Sequence, residues 1–487
     1  MLLRNARVGD DLVDVALDDG HITDVAPTTR IAEARTAHGE QVDLEGRWLV
    51  PGLWDNHVHF TQWTLGSRRL DISAAGSARD VACLIGRTLS TAPHPEGSGP
   101  LIAVGFRDAL WQDAPNLDDL DGATGSTPVV VVSADLHAVW LNSAALALYG
   151  LVGHPTGLLR EDAAFDITRR IDEVPFPLVD GWAKQAAEAA ARRGVVGIVD
   201  YEMDWNLDTW QRRMAMGVTS LRVDFGIYTQ HLERAVELGL RTGDRINDLL
   251  TVGGYKVLTD GSLNTRTAFC YDEYPGLEGA AHSHGMLTVT PDELIPLMRK
   301  ASDAGINPTV HAIGDRANTF ALDAFETLGI PGRIEHAQLL SARDVERFAH
   351  LGVVASVQPE HALDDRDVAD RLWVGRTARA FVLKSLLRAG AELALGSDAP
   401  VAPLDPWVTI SAAVGRTRGE REPWHPEQSI SVGDAVHASS RSTIARGERA
   451  DLAVAELDPF TATTEQLRTM PIAATLLGGI WTHNTLA

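Results

Sequence analysis

From about residue 180 onward, alanine-rich helical stretches alternate with short apolar runs, and this rhythm restricts the fold more than any other feature. The helical stretches include WAKQAAEAAARRG, LIPLMRKASDAG, ANTFALDAFETLG, RDVERFAHLG and FVLKSLLRAG. Many close with glycine, which adopts the left-handed conformation of a helix C-terminus without steric cost. The apolar runs are VVGIVD, LRVDFGIY, GYKVLTDG, NPTVHAIG, RIEHAQ, VVASVQP and ELALGSDAP. An earlier run ending at NHVH brings the number to eight. Eight strands alternating with helices predict an α/β fold, a (β/α)8 TIM barrel.

The two ends of the chain follow a different grammar. Residues 1–50 carry short alternating runs (LVDVAL, HITDVA, RWLV) broken by Asp-Gly and Glu-Gly, and the C-terminal runs ADLAVAEL and AATLLGGIWTH behave alike. Because termini often lie close together, segments 1–50 and 445–487 are expected to pair into a composite β-sandwich domain. The barrel then takes 51–66 and 181–444. Residues 67–180 break the repeat with a Pro/Gly/Ser-rich loop (STAPHPEGSGP), two strands (LIAVGF, PVVVVSA) and a Trp-bearing helix start (HAVWLNSAALAL). They form an α/β insertion after the first barrel strand, expected to cover the active-site side.

Composition narrows the partners. The 66 acidic and 43 basic residues give a formal charge of −23, which argues against nucleic acid and anionic membranes, since both need a basic surface. A small-molecule substrate is the expected partner, and a homodimer is left open. Only Cys83 and Cys270 are present, so a disulfide scaffold is excluded. The start lacks the basic, apolar and small-residue segments of a signal peptide, and no apolar run nears the ~20 residues of a membrane span. The expectation is a cytoplasmic protein.

Barrel enzymes place their chemistry at the C-terminal ends of strands. There this chain puts His57 and His59, Lys256 in the KVLTDG run, His311 in TVHAIGD, His336 in RIEHAQ and Asp398 in LGSDAP. His311 and His336 are 25 positions apart, one strand-helix unit. Imidazole and carboxylate suit zinc and similar ions, and residues i and i+2 of a strand point the same way, so His57 and His59 can reach one ion. A free lysine, with a pKa of ~10.4, is a poor ligand. Carboxylated by carbon dioxide, it becomes an anion able to bridge two metals. Bound metal acidifies water toward a pKa of ~7, and Asp398 can accept a proton and pass it to the leaving group.

The order HxH, Lys, His, His, Asp resembles the amidohydrolase superfamily. PGLWDNHVHF, DLHAVWLNSAAL, PTGLLRE, KVLTDGSLNTRTA, VHAIGDRAN, RIEHAQ, SVQPEHA, LGSDAPV and GERADLAV resemble its family 3 branch, which includes the N-substituted formamide deformylases. The resemblance implies two divalent ions, zinc first, with manganese, iron or nickel as alternatives. His57, His59 and Asp398 would hold one and His311 and His336 the other, bridged by carboxylated Lys256 and a hydroxide. It further implies hydrolysis of a non-peptide carbon–nitrogen bond in an amide, N-formyl or N-acyl compound, with Asp398 as general acid and base. The stretch HASSRSTIARGERADL is shorter than the family's usual helix and loop.

Three other readings compete. An esterase or lactonase would use the same dinuclear site. A mononuclear deaminase would need a glutamate three residues after His311, where the chain has Gly314. A catalytically inactive binding protein should have lost ligands, yet all six positions are filled. His137, Trp140 and His361 are candidates for contact with substrate, Asp315 and Arg316 for orienting His311, and Asp135 and Asn142 for closing over the site. A second HxH, His282 and His284 in a glycine-rich loop, is expected to be solvated, Trp54 to be barrel core and Cys270 to be a buried inert thiol.

Overall fold

The structure is a computed structural model that describes residues 1–28, 40–92, 94 and 99–486, so the STAPHPEGSGP loop lies partly outside the described residues. Eight parallel strands stand in the order Leu53–Val58, Val195–Asp200, Arg222–Tyr228, Leu250–Leu258, Pro308–Ala312, Gly332–His336, Val353–Val357 and Leu393–Leu395. Every residue of the first, second and fifth is buried, as expected of parallel strands covered on both faces. Helices follow the strands and end as the sequence implied. Gly329 and Gly352 close Asp315–Leu328 and Ala342–Leu351 in the left-handed conformation, and the Ser341 hydroxyl caps the second by accepting from Asp344 N.

The barrel closes between strands one and eight through backbone hydrogen bonds rather than a full ladder. Asp398 N donates to His57 O and His59 N to Ala399 O, each at 2.8 Å. Gly396 permits this approach, because a Cβ there would stand 2.7 Å from His57 N. At the other end Trp54 is buried as expected, packed against Gly197, with the Arg441 guanidinium 3.7 Å from its ring centroid.

The terminal segments form a separate sheet domain in which both ends of the chain interleave. Its order is Ile480–Asn484, Ile472–Leu477, Leu452–Ala455, Trp48–Pro51, Leu2–Val8, Asp11–Asp18 and His21–Pro27, with Gln41–Asp43 also on Leu2–Val8. Leu452–Ala455 runs antiparallel to Trp48–Pro51, so the short HASSRSTIARGERADL link still delivers the chain into register. Leu3, Val15, Leu452, Val454 and Leu476 share its core.

The inserted segment builds a five-stranded sheet in the order Leu158–Arg160, Ala138–Leu141, Val129–Ser133, Leu101–Phe106 and Leu70–Asp71. Alternate residues of Val129–Ser133 and Ala138–Leu141 enter two cores, Val129, Val131 and Trp140 in one and Val130, Val132 and Leu141 in the other. AVWL is therefore a strand, not the helix start expected from HAVWLNSAALAL. The helix begins at Ser143, where Asn142 caps it by accepting from Ala145 N. The chain re-enters the barrel through Phe176–Ala191, a helix that spans residues 180 and 181. Among the described residues no helix is long and apolar enough to cross a membrane.

Candidate metal centre

The six residues singled out from the sequence converge at one rim. His57 lies on the first strand and His59 caps the helix after it, Lys256, His311 and His336 sit on strands four, five and six, and Asp398 follows strand eight. All six line one cavity of about 450 Å³. His336 (φ +76°) and Asp398 (φ +59°) occupy the left-handed region, which costs a non-glycine residue of order 1 kcal/mol or more and persists only where the surroundings hold it.

The donor geometry suits a cation. His57 Nε2 and His59 Nε2 each lie 3.4 Å from Asp398 Oδ1. Ligands about 2.1 Å from a tetrahedral ion stand about 3.4 Å apart. His336, His361 and Asp398 make a second group whose ligand atoms lie within 4.8 Å of one another, and the His311 and His336 rings are 4.5 Å apart. His336 Nδ1, His361 Nε2 and Lys256 Nζ are buried without a hydrogen-bond partner among the described residues. Buried polar atoms are normally satisfied, so these mark the place of a group that completes them.

Electrostatics favour the ligand forms. Burial, reinforced by Lys256, pushes His57 down to about 4 and His311 well below the usual histidine range, which keeps both neutral. Burial would raise Asp398, but His57, His59 and His336 hold it well below the usual carboxylate range. Lys256 is 2% exposed, with its ammonium 4.6 Å from the Tyr201 ring centroid. Burial lowers it to about 8 against the pull of Glu335 and Asp398. A fraction of the amine is then neutral near pH 7, the form that adds carbon dioxide.

Behind the rim stand groups that the sequence reasoning passed over. Glu335 Oε2 accepts from His57 Nδ1 at 2.6 Å and from the Ser356 hydroxyl, while Oε1 meets Tyr201 OH at 3.2 Å and Arg333 Nε at 2.7 Å. A carboxylate on the second ring nitrogen fixes a ligand's tautomer and orientation. Asp260 accepts from the backbone N–H groups of Phe269, Ile313 and Gly314 and lies 3.4 Å from His311 Nε2. The signal for both was an acidic residue inside or just beyond an apolar strand, in RIEH and KVLTD.

The family model described as the amidohydrolase family matches residues 40–482. The chain belongs to the amidohydrolase family. It is 30% identical to the protein LONG AFTER FAR-RED 3 of Arabidopsis thaliana over 86% of this chain and 77% of that one. It is 25% identical to an N-substituted formamide deformylase of Arthrobacter pascens over 96% and 94% of the two chains. The crystal structure of an uncharacterized metal-dependent hydrolase from Pyrococcus horikoshii superposes with a TM-score of 0.77 at 26% identity, covering 95% and 99% of the two chains. This amidohydrolase is thus a hydrolase by family, with the fold anticipated from its strand rhythm.

The secondary candidates divide. His137, Asp135 and His361 line the cavity. His361 Nδ1 is 3.3 Å from the Gln338 amide, and its Nε2 is 3.8 Å from Asp398 Oδ2. Asp315 and Arg316 do not line it. Asp315 turns to Tyr271 N and Arg379 instead of His311, and the Arg316 guanidinium sits over the Phe269 ring at 4.8 Å. Trp140 is fully buried in the insertion's core with Nε1 donating to Asn116 O, and it does not line the cavity. His282 and His284 lie away from the cavity, and burial pushes the Cys270 thiol up to about 12.

Proposed function

We propose that this amidohydrolase cleaves a non-peptide carbon–nitrogen bond in an N-formyl or N-acyl compound with an apolar nitrogen substituent. The observation that carries the reading is the convergence of His57, His59, Lys256, His311, His336 and Asp398 on one cavity, with the 3.4 Å ligand spacing around Asp398 Oδ1. His57, His59 and Asp398 would hold one divalent ion, and His311 and His336 a second, with Lys256 as its carbamate between them. Ions bound there would supply acidified water and a Lewis acid for the carbonyl oxygen.

The chain's own groups do the rest. Asp398 takes a proton from the attacking water and returns it to the departing nitrogen, so that the amine leaves neutral. Glu335 keeps the His57 ring turned toward Asp398 through the Nδ1 hydrogen bond. Leu136, Phe165, Val174, Phe176 and Val179 give the cavity an apolar wall, which suits a hydrocarbon arm on nitrogen and sheds water from the reacting bond. An N-substituted formamide fits that description, and the deformylase relative supports it.

The test is metal analysis followed by a screen of N-formyl, N-acyl and ureido compounds, with matched esters alongside. The reading expects at least one equivalent of bound zinc or manganese, turnover of an N-formyl or N-acyl compound, and loss of turnover on chelation that metal restores. Chelator-resistant turnover, or turnover of esters alone, rejects it.

A further inference from the structure

His137 enters the cavity from outside the barrel, at the start of the insertion strand Ala138–Leu141. Its Nδ1 donates to Glu161 Oε2 at 2.8 Å, and its ring packs edge-on against Phe165 at 5.3 Å between centroids. The other Glu161 oxygen accepts from Thr267 Oγ1 at 3.1 Å. Two residues before the histidine, Asp135 accepts from Ser262 Oγ at 3.1 Å. Thr267 and Ser262 belong to the loop after the fourth barrel strand, so the ring's orientation is referred to the barrel and not only to the insertion. Leu136 (φ +64°) and Glu161 (φ +51°) are both held in the left-handed region, strain of the kind that gathers where a side chain must be aimed.

With Nδ1 committed to Glu161, the free atom is Nε2, which has no hydrogen-bond partner among the described residues and belongs to a ring on the cavity wall. The charged and titratable groups that face the ring are Glu161 and Asp135 on the insertion, Asp260 and His311 at the ends of strands four and five, and Asp398 across the cavity. Burial disfavours a charge on His137, but the Glu161 hydrogen bond and the nearby carboxylates outweigh it and raise its pKa. Strands four and five stand across the barrel from strands eight and one. A substrate carbonyl in the cavity therefore has Asp398 on one side and His137 on the other.

We propose that His137 is a catalytic residue that donates Nε2–H to the carbonyl oxygen of the scissile amide and stabilises the negative charge developing there, with Glu161 as its positioning residue. The proposal rests on the acyl-hydrolysis reading above. His137 keeps its proton throughout. The bond to the attacking oxygen forms and the carbon–nitrogen bond breaks, and the proton that moves is carried by Asp398. A donor of this kind acts on the transition state more than on the ground state, so its loss appears in kcat and leaves KM nearly unchanged.

The experiment uses the metal-loaded enzyme and the compound turned over fastest in the screen, together with benzylphosphonate as a tetrahedral, hydrolytically inert probe followed by calorimetry. His137→Phe should lower kcat about a hundredfold or more, in line with removal of one such donor, with KM within about threefold and metal content unchanged. His137→Gln, whose amide nitrogen reaches near the Nε2 position, should recover part of the rate, and Glu161→Gln should fall between wild type and His137→Phe. Benzylphosphonate affinity should drop about tenfold or more in His137→Phe. Full kcat in that variant, a loss confined to KM, or unchanged phosphonate affinity overturns the proposal. If His137→Phe does not fold, His137→Gln and Glu161→Gln are read by the same criteria. If no N-formyl or N-acyl compound is turned over, the substrate reading fails, and the phosphonate measurement alone decides the role of His137. A drop supports it, and an unchanged affinity or no wild-type binding rejects it.

Discussion

Replacing Glu335 by glutamine keeps the volume of a fully buried side chain and removes its charge, which makes it a sharp test of the groups behind the metal centre. A carboxylate is acceptor-only, and each of its two oxygens here faces two donors: His57 Nδ1 and the Ser356 hydroxyl on Oε2, Tyr201 OH and Arg333 Nε on Oε1. Glutamine offers one oxygen and an NH2 group that must point at two of those donors. Breaking a buried ion pair by removing one partner costs about 3–5 kcal/mol. Arg333 retains Asn56 O and the Ser356 hydroxyl as partners, which argues for the lower end, about 3 kcal/mol. His57 loses its charged orienting partner, an effect worth about 10–100-fold in metal affinity. Urea unfolding of the metal-free protein reads the first quantity, and chelator competition on the zinc-loaded protein reads the second. Burial alone would raise the Glu335 pKa, yet Arg333, His57 and Lys256 hold it well below the carboxylate range. Its stabilisation is therefore present above the unfolded-state value of ~4.3 and lost as pH falls through the lower folded value. The gap between wild type and Glu335→Gln should narrow in acid. Equal metal affinity and equal unfolding midpoints at neutral pH would refute the orienting role.

Other substitutions separate structural from chemical roles. Lys256→Ala should lose at least one equivalent of metal and most activity, and a variant with two metals and full turnover would show that the lysine is no bridge. Gly396→Ala puts a methyl 2.7 Å from His57 N at the barrel closure and should lower stability by about 2 kcal/mol or more, read by thermal unfolding, with metal affinity falling alongside. Trp140→Phe removes the Nε1 bond to Asn116 O and some core volume, so it should cost about 1–2 kcal/mol while kcat and KM hold within about twofold. A large kcat loss at unchanged stability would return Trp140 to the cavity.

The barrel and its six rim residues were legible because parallel strands are apolar on both faces, so a polar side chain at such a run's end stands out. His57 and His59 obey the two-residue strand period, and the glycine stops at 329 and 352 follow from backbone sterics alone. Glu335 escaped for the converse reason. Strand alternation assigns it the face opposite His336, but His336 leaves the extended conformation at φ +76°, and both residues end up serving the site. The strand at Ala138–Leu141 was hidden by a genuine cap signal, because Asn142 starts a helix and the apolar AVWL before it fits either element at that length. Asp315 misled in another way. An aspartate at a helix start beside a ligand strand fits an orienting role by spacing, and only the fold reveals Tyr271 N as its partner.

Two ends of the barrel repeat that are distant in sequence meet at the candidate metal centre, and the bonds that join them also position His57, His59 and Asp398. Asp398 N on His57 O and His59 N on Ala399 O close the barrel, and Asp55 accepts Ser397 N at 2.8 Å just beneath. The Asn56 amide adds a bond to Leu395 O at 3.0 Å, and a ligand set drawn from both sides of the seam would add a further tie. An ion held by His57, His59 and Asp398, as proposed, would bind the closed barrel and not the open one, so its binding free energy would become closure free energy by linkage. The inserted segment then completes the enclosure from above, bound to the loop after strand four by Asp135 and Glu161 and to the helix after strand seven by Arg107 on Asp364. Closure orders the donors at the seam, while the docked insertion supplies His137 and the apolar wall. If the rim residues hold ions as proposed, selectivity for one acyl compound over another is to be sought in the insertion.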